Sequence, residues 1–152
     1  MTLDSKTQPS RSSSAVIVAE KHPIARAALA ALLSYDGYRA FQAEDLSSAL
    51  GHILSVDNLA AVLVDLDLPG WRTIIHHALN GNPTLIIAMR GHHLVTQDEL
   101  KKRGVHACFD KPITYSDVAL RLKAHAAENK VETTSSQSSA QIVNSTWSLA
   151  KS

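Results

Sequence analysis

The sequence lacks the features that would place it in several special classes of protein. Its 152 residues include a single cysteine, Cys108, which excludes an intramolecular disulfide framework and fits a reducing cytoplasm. Aromatic residues make up 5% of the chain and charged residues 19%, with a net charge of +1. This balance does not predict binding to nucleic acid or to a membrane surface. The sequence contains neither a signal peptide nor an apolar run long enough for a transmembrane helix.

The composition along the chain predicts one domain with polar ends. Residues 1–14 are polar and Ser-rich, and we expect a disordered lead-in there. Residues 15–128 alternate apolar strand and helix patterns and are predicted to form the domain. Residues 129–152 are predicted to be a polar linker or tail. Trp147, near its end, would either pack back on the domain or begin a missing output domain.

The alternation of patterns predicts an α/β fold. Strands are predicted at 15–19, about 38–43, 60–65, 84–89 and about 106–109, and helices at 24–34, 45–54, 72–79, 96–104 and 114–128. The first helix is expected to bury one face, formed by Ile24, Ala28, Ala31 and Leu32. Five strands that alternate with five helices favour a parallel sheet covered by helices on both faces.

Charged residues follow three of the predicted strands. Asp65 ends the third strand, Glu20 and Lys21 follow the first, and Lys111-Pro112 follows the fifth. Open α/β sheets carry their sites at the carboxyl ends of the strands, so we expect these residues to converge on one pocket.

Residues 15–127 resemble the receiver domain of bacterial two-component response regulators. The segments that carry the resemblance are 16–23 (VIVAEKHP), 62–70 (VLVDLDLPG) and 104–112 (GVHACFDKP). It implies a flavodoxin-like (CheY-like), doubly wound sheet in the order 2-1-3-4-5. It also implies that Asp65 is the phosphoacceptor position, that Lys111 is its ion-pair partner and that the bond before Pro112 is cis. The sequence contains no Gly-rich phosphate loop, Ser-His-Asp arrangement or Cys/His zinc pattern, so we expect no catalysis beyond possible self-phosphorylation.

The sequence departs from the family at three positions of this pocket. Receiver domains normally have two acidic residues after the first strand, which hold Mg²⁺ with the phosphoacceptor, whereas this chain has Glu20 and Lys21. Ala88 stands where the fourth strand normally carries a Ser or Thr that binds the phosphoryl group. Cys108 stands at the switch position, where the fifth strand normally carries an aromatic residue.

These departures predict altered chemistry. Glu20, Asp65 and the backbone carbonyl of Asp67 could bind Mg²⁺, but Lys21 should make that binding weak or absent. The Lys21 ammonium could instead replace the metal as a fixed charge beside Asp65. We therefore favour a degenerate receiver, or pseudo-receiver, that acts constitutively or through a partner. Asp65 and Lys111 could also persist as a buried ion pair that joins two strands.

Three histidines and a group of charged residues are further candidates for a site or a contact. His92, His93 and His106 could meet at the sheet edge, but no recognised metal-ligand spacing accompanies them. Partners expected from the resemblance are a histidine kinase or another signalling protein. A homodimer would use the face of helix four, strand five and helix five, with mixed charges at Glu99, Lys102, Arg103, Asp117 and Arg121.

Two other functions remain open from the sequence. Residues 145–149, after the polar linker, are similar to the start of a winged-helix domain of the OmpR type, so the chain could be the regulatory part of a DNA-binding transcriptional regulator. It contains no helix-turn-helix, so this chain alone is not expected to bind DNA specifically. A flavodoxin-like ligand binder is disfavoured by Asp65 and Lys111 at matched strand ends, since such sites favour Gly-rich loops.

Overall fold

The structure is a computed structural model that describes residues 13–80 and 82–134, with side chains as far as residue 129. This part of the chain forms five strands and five helices in strict alternation. The strands are β1 (Ala15–Ala19), β2 (Arg39–Ala43), β3 (Leu59–Asp65), β4 (Leu85–Arg90) and β5 (Ala107–Asp110). The helices are α1 (Pro23–Tyr35), α2 (Leu46–Ser55), α3 (Trp71–Leu79), α4 (Gln97–Lys102) and α5 (Tyr115–Thr134).

The strands form one parallel sheet in the order β2-β1-β3-β4-β5, which confirms the predicted fold class. β1 and β3 are central, and every residue of β1 is buried. The register places Val64 beside Ala88, and Ala88 beside Cys108. Since β1, β3 and β5 run in the same direction, Glu20, Asp65 and Lys111 leave the sheet at the same edge.

Local signals explain where several helices begin. The Asp45 side chain accepts a hydrogen bond from the Ser48 N–H, and the Ser48 hydroxyl accepts one from the Asp45 N–H, forming a capping box at the start of α2. The Thr96 hydroxyl likewise accepts from the Glu99 N–H before α4. Gly70 precedes α3 with a φ of 90°, where a Cβ would also lie 2.9 Å from a methyl carbon of Leu46.

Two apolar clusters cover the two faces of the sheet. One packs α2, α3 and α4 against Ile17, Val62, Val64 and Ile86, and the other packs α1 and α5 against Val16, Val18, Leu63 and Ile87. Each strand thus buries alternate residues in opposite clusters, as expected of a sheet covered on both faces.

The predicted buried face of α1 is wrong. Ile24, Ala28, Ala31 and Leu32 are all exposed, Ile24 by 85% of its surface, and the buried face consists of Leu29, Ala30 and Leu33. Almost every residue of this helix is apolar, so several stripes fit a helical period equally well. Packing against β1, rather than hydrophobicity, selects the stripe that is buried.

The last helix is longer than predicted. α5 runs to Thr134, beyond the predicted helix end near Glu128. The expected lead-in to residue 12 and the tail after Thr134, including Trp147 and the OmpR-like residues 145–149, lie outside the described residues. Among the helices that the structure describes, none combines the length and apolar character needed to cross a bilayer.

Candidate functional site

Three buried or partly buried charges meet at the carboxyl edge of the sheet. Asp65 at the end of β3 is 0% exposed and Glu20, directly after β1, is 1% exposed. The Lys111 ammonium donates hydrogen bonds to Asp65 Oδ1 at 2.8 Å and to Glu20 Oε2 at 3.2 Å. The predicted convergence of strand ends is therefore present, and one cation bridges both carboxylates.

Both oxygens of the Asp65 carboxylate are engaged. Oδ1 accepts from the Asp67 N–H at 2.9 Å as well as from Lys111, and Oδ2 accepts from the Lys21 N–H at 3.1 Å. Glu20 Oε2 also accepts from the His22 N–H at 3.1 Å. The loops after β1 and β3 thus close around the carboxylates through their backbone, in addition to the ion pairs.

Burial and pairing oppose each other in the pKa values of this cluster. Burial raises the pKa of Asp65, but hydrogen bonds from Lys111 and from the Lys21 and Asp67 N–H groups outweigh it and leave that pKa lowered. Burial and the neighbouring charge of Asp65 raise the pKa of Glu20 despite its hydrogen bond from His22. Burial alone would lower the pKa of Lys111, but its bonds and charge interactions with Asp65 and Glu20 raise it. The cluster therefore favours an ionised Asp65 paired with a charged Lys111.

Lys21 reaches the pocket through its backbone and not through its ammonium group. Its residue surface is exposed, and the hydrogen bond to Asp65 comes from its N–H. Within residues 13–80 and 82–134, the ion pairs of Asp65 do not include Lys21. The expectation that this ammonium substitutes for a metal beside Asp65 is therefore wrong, because Lys111 already occupies the space between the carboxylates.

The other predicted pocket residues take the expected places in the sheet. Ala88 is 0% exposed next to Val64, one residue before the strand position paired with Asp65. Cys108 is buried beside Ala88, and burial raises the pKa of its thiol. The peptide bond between Lys111 and Pro112 is cis, as the resemblance implies. Neither a hydroxyl nor an aromatic ring therefore stands at these two positions.

Asp67 contributes a feature that the sequence did not reveal. Its carboxylate accepts hydrogen bonds from the N–H groups of His92 and His93, at 3.0 to 3.2 Å. The His93 Nδ1 also lies 3.0 Å from Asp67 Oδ1. Burial raises the pKa of Asp67, but these bonds outweigh it and leave it lowered. The prediction named only the backbone carbonyl of this residue.

The residues present are a poor fit for Mg²⁺. This ion favours a near-octahedral set of oxygen ligands and usually takes one or two carboxylates together with water. Glu20 and Asp65 could supply oxygens, but the Lys111 ammonium already bridges them, and the Asp67 side chain is committed to the loop after β4. Among the described residues, no group of three His, Cys, Asp or Glu side chains could hold a metal ion.

The predicted histidine group does not assemble. His92 and His93 lie near Asp67 at the carboxyl edge, whereas His106 precedes β5 and its ring contacts that of His125, with centroids 6.0 Å apart. These two positions lie at opposite ends of parallel strands. The predicted strand boundaries already imply this separation, because residues 92 and 93 follow one strand of a parallel sheet and residue 106 begins the next.

The predicted dimer face is only partly exposed. Lys102 and Asp117 are exposed, while Glu99 accepts hydrogen bonds from Arg72 and Arg103 of the same chain. Arg121 is 8% exposed, so its prediction as a surface contact is wrong. It falls on the side of α5 that packs toward the sheet, near the buried Val118 and Leu122.

Comparison with known proteins supports the fold. No protein-family model matches the chain, and no curated protein sequence matches it. A response regulator receiver domain protein (CheY-like) from Methanospirillum hungatei JF-1 aligns with a TM-score of 0.71 at 18% identity, over 80% of this chain and 99% of that one. The chain has the receiver-domain fold. The signal receiver domain of a putative LuxO repressor from Vibrio parahaemolyticus aligns over 80% and 98% of the two chains, at 23% identity and a TM-score of 0.67.

Other structures with the receiver fold come from proteins of different descriptions. The solution structure of a beryllofluoride-activated NtrC4 receiver domain dimer aligns at 23% identity, over 73% of this chain and 94% of that one, with a TM-score of 0.64. An adenylate cyclase from Rhodopirellula baltica aligns at 21% identity over 83% and 96%, with a TM-score of 0.69. At these identities the likeness concerns the fold, so function has to be argued from the pocket.

Proposed function

We propose that this protein is an atypical, non-enzymatic receiver module of two-component signal transduction in the cytoplasm. It acts by contact with a kinase, another signalling protein or a second copy of itself, and phosphorylation at Asp65 is weak or absent. The observation that carries the proposal is the Lys111 bridge between Asp65 and Glu20, which places a cation on the two carboxylates that would otherwise be available to hold Mg²⁺.

The chemistry of phosphoryl transfer supports this proposal. A carboxylate nucleophile needs a metal ion or another cation to neutralise the phosphoryl oxygens. Lys21 removes the second acid that would help hold Mg²⁺, and Ala88 removes the hydroxyl that would bind the product. Cys108 removes the aromatic side chain through which the resemblance would couple the pocket to the surface. Asp65 and Lys111 remain because each neutralises the other inside the fold.

Intact-mass spectrometry after treatment with acetyl phosphate and Mg²⁺ tests the proposal. We expect little or no phosphoryl adduct on the wild-type protein, with Asp65→Asn as the control for the site. A stoichiometric, Mg²⁺-dependent adduct that Asp65→Asn abolishes would contradict the proposal. Circular dichroism on the same samples shows that each protein is folded.

A variant designed to restore phosphorylation serves as the positive control for a wild-type protein that forms no adduct. Lys21→Asp together with Ala88→Thr restores the acid and the hydroxyl that the pocket lacks. We expect this double variant to form a Mg²⁺-dependent adduct under conditions where the wild-type protein forms none. Absence of an adduct in both proteins would show that these two substitutions do not account for the loss of reactivity.

The proposed homodimer would use α4, β5 and α5. Lys102 and Asp117 offer opposite charges on this face, and charges of both signs suit an interface that meets itself across a two-fold axis. Analytical ultracentrifugation of the wild-type protein and of Lys102→Glu tests this. We expect the variant to dissociate at concentrations where the wild-type protein is dimeric, and a wild-type protein that is monomeric throughout would refute the dimer.

A further inference from the structure

The loop of residues 91–96, between β4 and α4, encloses a carboxylate from the same chain. The N–H of His92 lies 3.2 and 3.1 Å from the two oxygens of Asp67, and the N–H of His93 lies 3.0 Å from Oδ1. Consecutive backbone N–H groups that point to one place form an anion-binding concavity. The Asp67 carboxylate therefore fills an anion site made by this loop.

The side chains of the loop add to the same site. The Nδ1 atoms of His93 and His92 lie 3.0 and 3.5 Å from the Asp67 oxygens, although both rings are largely exposed. The Asp67 side chain itself is only 6% exposed. A buried carboxylate with this many donors is held in one place, since each lost hydrogen bond would leave it desolvated and unpaired.

The packing of Gly91 shows how close the loop comes to Asp67. A Cβ at position 91 would lie 2.5 Å from Asp67 Oδ2 and 3.2 Å from the Lys111 Cδ. The loop therefore lies against Asp67 and against the aliphatic stem of the lysine that bridges the pocket. A residue with a Cβ at position 91 would therefore have to displace the Asp67 carboxylate.

From these contacts we propose that Asp67 is a positioning residue and the resident anion of the 91–96 loop, which it holds in one conformation whatever the state of Asp65. This role in signalling rests on the proposed function. Asp67 would allow a receiver module without a phosphoryl group to keep its output surface in one conformation. The anion comes from residue 67 of the chain itself.

Amide hydrogen exchange of the loop tests the proposal at constant pH. In Asp67→Ala we expect the amides of His92 and His93 to exchange at least about tenfold faster than in the wild-type protein, because both lose their acceptor. Asp57→Ala removes an exposed carboxylate from the segment before β3 and serves as the matched control, with unchanged exchange. Asp65→Asn should also leave exchange of the loop unchanged.

Anion rescue distinguishes a filled anion site from general loosening. Sodium acetate should slow the exchange of these amides in Asp67→Ala toward the wild-type rate, while sodium chloride at equal ionic strength should not. If Asp67→Ala does not fold, Asp67→Asn keeps the shape and one acceptor, and we expect a smaller acceleration with the same response to acetate.

Three outcomes would overturn the proposal. The first is unchanged exchange of the loop in both Asp67 variants. The second is acceleration that acetate does not reverse, and the third is acceleration of the same size in Asp65→Asn. Phosphorylation of Asp65 is measured by intact mass, and anchoring of the loop by Asp67 is measured by hydrogen exchange. The proposed function and the role of Asp67 can therefore fail independently.

Discussion

Two clusters of buried charge, at opposite edges of the sheet, are built differently. At the carboxyl edge, Asp65, Glu20 and Lys111 neutralise one another and share backbone donors. Toward the amino edge, Arg121 on α5 is 8% exposed, and its Nε and Nη1 are buried without a hydrogen-bond partner in the described part of the chain. His106, which precedes β5, completes this second cluster with His125.

The pKa values show what pairing changes. Burial opposes the charge on Lys111 and on Arg121 alike, yet the pKa of Lys111 is raised by Asp65 and Glu20, whereas the pKa of Arg121 is lowered by burial despite the charge of Glu128. The partners of Lys111 therefore outweigh the cost of its desolvation, whereas the cost of burying Arg121 outweighs its interaction with Glu128. Removing a charge should therefore have opposite consequences in the two clusters.

The largest expected effect is at Lys111. Lys111→Met keeps the aliphatic stem but leaves Asp65 and Glu20 buried without their cation, and we expect it to lower the free energy of unfolding by about 3–5 kcal/mol at pH 7. Urea denaturation measures this change. Lys123→Met, at an exposed position of α5, is the control and should change stability by less than about 0.5 kcal/mol. A loss no larger than that of the control would show that the bridge contributes nothing.

A smaller effect should appear at His106 as a dependence of stability on pH. Burial, with the charges of His125 and Arg121, lowers the pKa of His106 to about 4 from the usual 6.5. Its contribution to stability is therefore present above pH 6.5, where both states are neutral, and is lost as the pH falls toward 4, because only the unfolded state binds the proton. Between pH 7 and pH 5 this loss amounts to about 2 kcal/mol.

The variant His106→Asn isolates the contribution of His106 to the pH dependence of stability. The Nδ1 of His106 accepts a hydrogen bond from the Ile86 N–H at 3.0 Å, and the Asn side-chain oxygen is an acceptor that can replace it. We expect the wild-type protein to lose about 2 kcal/mol more than the variant between pH 7 and pH 5, measured by urea denaturation at each pH. Parallel losses in the two proteins would assign the dependence to other groups.

The two edges also differ in how far the sequence predicted them. The fold class, the strand order and the meeting of Glu20, Asp65 and Lys111 follow from apolar runs that end in charged residues, together with the resemblance. Strand ends in a parallel sheet have only one edge at which to meet, so local pattern suffices there. The prediction of the buried face of α1 was wrong because nearly all residues of this helix are apolar. Only packing against the sheet distinguishes Leu29 and Leu33, which are buried, from Ile24, which is exposed.

Side-chain direction was the part that the sequence could not predict. Asp67 contacts His92 and His93, Lys21 is exposed, and Arg121 is buried. Nothing in the neighbouring sequence of these three residues distinguishes them from polar residues on the surface. Their positions depend on contacts between segments distant in sequence, such as the loop after β3 and the loop after β4. Backbone N–H groups are present at almost every residue, so the sequence does not show which consecutive pair will bind an anion.

The smallest expected effect is at Arg121, the buried cation without hydrogen bonds to its Nε and Nη1 in the described part of the chain. Arg121→Met keeps a long apolar stem near Val118 and Leu122 and removes a charge whose desolvation the charge of Glu128 offsets only in part, so we expect stability to stay the same or rise by about 1 kcal/mol. The urea midpoint, at an unchanged denaturant slope, measures this. A loss of more than about 2 kcal/mol would show that a partner more than offsets the cost of burying the Arg121 charge. The two edges of the sheet would then follow the same rule, and the contrast between a paired and an unpaired buried cation would have to be abandoned.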